Sequence, residues 1–183
     1  MALSDGEKII IAMLADQAKA QSAKGELDTE FIANNAHSKM WAVKAMYPGI
    51  FGEGDDENPD QVRWTHDALS MWLRIESGYQ ALSPEDKDRV KAARGSHGQE
   101  PRFRGFDGHS DHASIAGTMI RDLGYYEEFA DRSLDSHMPD IEVHDRLLRK
   151  FKELQQRAGG LWNELTADEL IEILDESIHP ENR

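Results

Sequence analysis

The chain of 183 residues sets 21 Lys plus Arg against 35 Asp plus Glu, a formal charge of −14, and contains 8 His and no Cys. That length is ample for one core, and the missing Cys excludes disulfides, thiol catalysis and thiolate metal sites. The acidic excess argues against a general nucleic-acid binder or a binder of anionic membranes. Ile9-Ile10-Ile11-Ala12-Met13-Leu14 is the longest apolar run near the N-terminus. It is too short to span a bilayer and leads to no small-residue cleavage site, so a soluble cytoplasmic protein is expected.

Strand formers are scarce, with four Val and four Thr, and apolar residues recur at helical spacing. The expectation is an all-α bundle of about six to eight helices with little or no sheet. It is read as one domain over residues 1–183, with a core over 3–178, loops at 52–57 and 95–101, and a tail at 179–183. Ser4 and Glu7 form a capping box for the first helix, which carries Ile10, Met13, Leu14 and Ala18 on one face and fades near Gly25. A second helix fits residues 28–46 and is stopped by Tyr47-Pro48-Gly49. Asn58 caps the third, with Pro59 at its first position. Its stripe of Ala68, Met71, Trp72, Ile75, Tyr79 and Leu82, widened by Leu69 and Leu73, marks it as the central helix.

Ser83 caps a short polar helix over residues 84–95, and a Gly-rich loop follows to Pro101. Ser110 or Asp107 can cap a helix carrying Ile115, Met119, Ile120 and Leu123, which stops at Gly124. Residues 125–130 form a short helical segment. Pro139 opens a long helix with Leu147, Leu148, Phe151 and Leu154 that ends at Gly159-Gly160, and Ser136 or His137 is expected to cap it. Thr166 and Glu169 form a second capping box, ahead of Leu170, Ile171, Leu174 and Ile178.

Three segments in order, Leu3-Ser4-Asp5-Gly6-Glu7-Lys8, Phe103-Arg104-Gly105-Phe106-Asp107-Gly108 and Ser136-His137-Met138-Pro139, flank a long aromatic helix. Together they resemble the YfbU family of bacterial proteins over residues 3–178, most strongly over 103–154. The resemblance implies an all-α cytoplasmic protein that self-associates, without an established activity or catalytic residues to carry over. Family members often carry Asn just after G-F-D-G and before the Ser-His pair, where this chain has His109-Ser110-Asp111 and Asp135.

Asp107, His109, Asp111 and His112, with Ser136, His137, Asp140 and His144 one helix later, are the side chains that look most chemical. Imidazole and carboxylate suit Zn²⁺, Mn²⁺ or Fe²⁺. A metal-dependent hydrolase using Asp107, His109, His112 and His137 is therefore the alternative to a structural role. The structural reading treats Asp and Ser before an apolar-periodic run as ordinary caps. Gly105 and Gly108 then permit a tight turn around a core-plugging Phe106, and His137 bonds toward that turn, at Asp107. His66-Asp67 and His144-Asp145, with His37 upstream, match the HD dipeptide of phosphohydrolases but lack the rest of that ligand set. No G-x-S-x-G exists for a Ser nucleophile, and Gly95-Ser96-His97-Gly98 does not supply one. No G-x-x-x-x-G-K-[ST] exists for phosphate.

Trp64, Tyr125 and Tyr126 are candidates for a subunit contact, because aromatic residues anchor interfaces. The functional expectation is a non-catalytic interaction or self-assembling protein, a homo-oligomer with an unknown protein partner, no cofactor and no membrane or nucleic-acid partner.

Overall fold

A computed structural model describes residues 3–22, 25–51, 59–93, 100–159 and 164–178. Loop 52–57, tail 179–183, the Asn58 cap and residues 95–99 of the Gly-rich loop lie outside them. The described residues fold into nine α-helices joined by turns, with no sheet among them, so the all-α expectation holds. They group into two compact units, Met1–Pro59 and Asp60–Arg183.

In the first unit, α1 (Asp5–Ala20) starts on the expected capping box. Ser4 Oγ accepts from Glu7 N at 3.3 Å, and Glu7 Oε2 accepts from Ser4 N at 2.7 Å. The Ser4 bonds hold the Glu7 carboxyl below its ordinary value. α2 (Thr29–Asn35) is capped by Asp28, whose Oδ1 accepts from Phe31 N at 2.8 Å. Asp28 N in turn donates to the Tyr47 hydroxyl at 2.7 Å.

The single helix expected over 28–46 is instead two, α2 and α3 (Met40–Met46), separated by a turn at residues 36–39. The break has a local cause. Buried Asn35 donates its side-chain amide to Phe31 O at 2.9 Å, while its own carbonyl accepts from Ser38 N and Lys39 N. Asn, His and Ser are all weak helix formers with such competing bonds. Pro48 does not only stop α3. It also opens a one-turn helix, α4 (Pro48–Phe51), as its fixed φ allows.

The second unit is built on α5 (Asp60–Ala81). Its stripe is as expected: Ala68, Leu69, Met71, Trp72, Ile75 and Tyr79 are buried, while Leu73 and Leu82 sit at the rim. Packed around it are α7 (Asp111–Gly117), α8 (Ile141–Arg157) and α9 (Ala167–Asp175), with α6 (Pro84–Ala93) against α9. Ser83 Oγ accepts from Asp86 N at 3.1 Å, and Thr166 with Glu169 forms the second capping box. α7 continues into a π turn (Thr118–Asp122), keeping Ile115, Met119 and Ile120 buried, before Gly124 stops it at φ +68°. The short segment that follows is one 3₁₀ turn, Glu127–Phe129. In the loop leading to α7, Pro101 is buried and Glu100 exposed.

Candidate functional site

Two loops of the second unit meet at the G-F-D-G and S-H-x-P motifs. Phe106 N donates to Leu134 O, and Ser136 N donates to Phe106 O, both at 2.9 Å, making an isolated parallel bridge between Phe106 and Asp135. Gly105 lies at φ +95°, and a methyl there would overlap the Leu134 carbonyl carbon and oxygen. A methyl on Gly108 would overlap the Asp135 carboxylate. Gly105 is thus demanded by the backbone crossing it, whereas at Gly108 the obstacle is the end of the Asp135 side chain.

Phe106 is fully buried, as expected of a plug. Its ring meets Phe103 edge-on at 5.2 Å and His144 at 4.9 Å. Trp64 (5.9 Å) and His112 (6.0 Å) complete its surroundings.

The hub of the junction is Asp135. Its Oδ1 accepts from Gly108 N at 2.9 Å and from His137 N at 2.8 Å, while Oδ2 pairs with His137 Nδ1 at 3.0 Å. These bonds, that from His137 first, hold the carboxyl below its ordinary value against slight burial. The expected bond from His137 to Asp107 is therefore corrected: His137 turns to Asp135, the residue two before it, and takes φ +54° to do so. Asp107 closes its own turn instead, with Oδ1 accepting from His109 N at 3.0 Å and its carbonyl accepting from Ser110 N and Ser110 Oγ.

The expected cap on α8 is corrected as well. Ser136 Oγ accepts from Met138 N and donates to Met138 O, and Asp140 stands at the helix N-cap without a side-chain cap bond. Pro139 is exposed ahead of it. Asp140 Oδ1 instead accepts from Asp107 N at 3.3 Å, tying the motifs together a second time. Burial opposes ionisation of Asp140, but bonds from His144, Ser136 and Asp107 N outweigh it and lower its pKa. Of the two cap candidates at α7, Ser110 is the cap, accepting from Ala113 N at 3.3 Å.

Two histidines lie behind the loops. Buried Thr65 donates its hydroxyl proton to Gln61 O at 2.7 Å, so His112 Nδ1, also 2.7 Å away, must carry the hydrogen and donate. Burial pushes the His112 pKa down, opposed by Asp111 and reinforced by His144. His144 is 4% exposed. Indole nitrogen only donates, so the 2.9 Å bond from Trp72 Nε1 makes His144 Nδ1 the acceptor. His144 Nε2 then carries the proton and faces Gly105 O at 3.3 Å and Asp140 Oδ2 at 3.4 Å.

The set Asp107, His109, His112 and His137 is therefore dispersed. His112 bonds to Thr65, while His137, 83% exposed in its side chain, pairs with Asp135. Among the described residues no three His, Asp or Glu side chains converge as a metal site requires. The two HD pairs are also engaged structurally. The His66 carbonyl accepts from Tyr126 Oη, Asp67 pairs with Lys152 at 2.6 Å, and Asp145 pairs with Arg149 and accepts from Trp64 Nε1. Gly95-Ser96-His97-Gly98 falls outside the described residues.

Of the three aromatic interface candidates, Trp64 is half-buried against His112 at 4.5 Å. Tyr126 is half-buried and stacked on Phe129, and burial pushes its hydroxyl up to about 12. Tyr125 is 42% exposed.

Sequence reasoning misses two residues that organise the site. Asp135 is legible as an Asx turn onto His137, but not as the clamp on Gly108. Glu76 accepts from Phe103 N at 2.6 Å and takes a bidentate pair from Arg132 at 2.7 and 2.8 Å, beneath the packing of Arg132 on Phe129. A lone acidic residue on the flank of an apolar stripe gives no signal of that. Compared with protein-family models, curated proteins and solved structures, the chain matches none.

Proposed function

We propose that this is a YfbU-like, cytoplasmic, non-catalytic protein that acts by self-association and by binding other macromolecules, with the two motifs serving as a structural latch. The observation that carries the reading is the occupancy of the latch's polar atoms. Asp107, Asp135, Asp140, Ser110 and Ser136 bond to backbone of the same loops, and His112 and His144 bond to core side chains. A catalytic acid, base or nucleophile has to reach a substrate atom from within an accessible cleft. These groups bond to the chain itself, whereas the His109 and His137 rings stand exposed at the surface. In support of a soluble partner rather than a membrane, no helix among the described residues is long and apolar enough to cross one.

The test combines metal analysis of protein purified without chelator, a thermal shift with Mn²⁺ or Zn²⁺, and light scattering. The expected result is no stoichiometric metal, no shift beyond about 1 °C and a mass that rises with concentration. Stoichiometric metal or a stabilisation of several degrees would overturn the non-catalytic reading in favour of the metal-dependent hydrolase. A monomer at every concentration would remove self-association.

A further inference from the structure

α1 has no buried residue, although it contains the most apolar run near the N-terminus. Its Lys8, Ile11, Ala12, Ala15 and Ala18 line the grooves shared with α2. Turned away from those grooves, Ile9 (60%), Ile10 (57%), Met13 (66%) and Leu14 (58%) stand exposed. With Gly6 before them and Gln17 after, they recur at spacings of three and four, an uncharged stripe about 16 Å long at 1.5 Å per residue. The charged residues of the helix, Asp5, Glu7, Lys8, Asp16 and Lys19, all lie off it.

We propose that this stripe is the self-association surface: two copies pair α1 against α1 in antiparallel register about a two-fold axis. The inference rests on the self-association reading above and names its surface.

Three features favour a second copy as the occupant. The first is symmetry. The stripe is centred between Ile10 and Met13, so a two-fold there sets Ile10 on Met13 of the second copy, Ile9 on Leu14 and Gly6 beside Gln17. Apolar thus meets apolar across the four central side chains, with Gly6 against the polar Gln17 at each end, which gives the self-complementary patch of an isologous interface. Antiparallel pairing also opposes the two helix dipoles.

The second feature is charge. Each copy carries −14, and the stripe itself bears no carboxylate, so two such surfaces touch there with Glu7 and Asp16 kept to its edges. A strongly basic partner would find no countercharge on it, and the depletion of charge matches interface cores.

The third is area. From their exposed fractions the four side chains present roughly 450 Å² per copy, the size of the largest apolar patch on a typical monomer, which is often functional. Doubled and extended over Gly6 and Gln17, the contact reaches about 1,000 Å², the lower bound of specific interfaces. A contact of that size belongs to the weak, transient class.

The experiment is sedimentation velocity on the full chain from about 1 to 200 μM, with circular dichroism to verify helix content. The wild-type chain is expected to pass from monomer to dimer within that range and to dimerise more tightly as salt screens Asp5, Glu7 and Asp16. Ile10→Lys and Met13→Glu, both at exposed positions, are each expected to weaken the dimer at least ~10-fold with unchanged helicity. An equimolar mixture of the two variants is expected to recover a dimer, because positions 10 and 13 face each other across the axis.

A dimer indifferent to both variants overturns the α1 assignment while leaving self-association standing. Variants that weaken it without recovery on mixing overturn the antiparallel register. A wild-type monomer throughout overturns both inference and reading, and a monomer that binds phosphatidylcholine vesicles through the stripe assigns it to lipid instead.

Discussion

Replacing Gly105 with Ala tests the latch most directly. The left-handed φ of +95° costs an L residue about 1–3 kcal/mol by itself. The added methyl would also overlap the Leu134 carbonyl, which is backbone and has no rotamer to yield. Relieving the overlap moves the 134–136 segment off Phe106, and the two bridging bonds at 2.9 Å are each worth about 1 kcal/mol net. The sum is about 3–5 kcal/mol, or a drop in Tm of about 6–20 °C at 2–4 °C per kcal/mol.

Gly124 supplies the control. It sits at φ +68° with nothing within 4 Å of where a methyl would stand, so Gly124→Ala carries the conformational strain alone, about 1–2 kcal/mol. Urea unfolding followed by tryptophan fluorescence reports both, since Trp64 and Trp72 lie in this unit. If Gly105→Ala is no worse than Gly124→Ala, the two loops are not in contact and the latch is refuted.

Lowering pH should destabilise the fold in two steps, read as urea midpoints from pH 8 to 3. His112 is held neutral by burial, so the unfolded chain takes up its proton first and stability falls as pH drops below about 6.5. Asp135 and Asp140 are held below 3.8, so their contribution is complete above about pH 4 and is lost as pH falls through their folded values. His112→Gln should remove the first step only. Glu76→Gln and Arg132→Met, alone and together, should couple by about 2 kcal/mol, and additive losses would show the bidentate pair to be unimportant. Trp72→Phe should cost about 1–3 kcal/mol, because it leaves His144 Nδ1 buried without its donor. Tyr79→Phe should be neutral or stabilising by up to about 1 kcal/mol, since that buried hydroxyl has no hydrogen-bond partner among the described residues.

What can be read from the residues is what depends on near neighbours. The capping boxes at Ser4 and Thr166 and the caps at Ser83 and Ser110 are signals spanning three residues, and each appears where expected. The α5 stripe is equally legible, because a period of 3.6 over 22 residues leaves one face to bury.

The failures share a different cause. The Asn35 break depends on a side chain choosing Phe31 O over solvent, which propensity alone does not decide. The apolar face of α1 is visible as a pattern, but periodicity does not say which of two apolar edges meets α2; alanines take that side and the larger residues are left outside. At the latch, both motifs stand out in the sequence, yet complementary donors and acceptors point to Asp107 as the partner of His137 rather than Asp135. The His137–Asp135 contact is a local Asx turn; what local spacing does not encode is the clamp of Asp135 on Gly108 and the bridge at Phe106, a pairing across 29 positions.

The bridge has a kinetic consequence. Its two amides, Phe106 N and Ser136 N, sit at either end of an excursion comprising α7, the π turn and the 3₁₀ turn. Neither amide can reach solvent as a hydrogen-bond donor unless the paired segments part, and parting them withdraws Phe106 from its contact with His112 of α7. In native-state hydrogen exchange the two protons should therefore behave as a single reporter, released together at one opening free energy shared with the α7 amides.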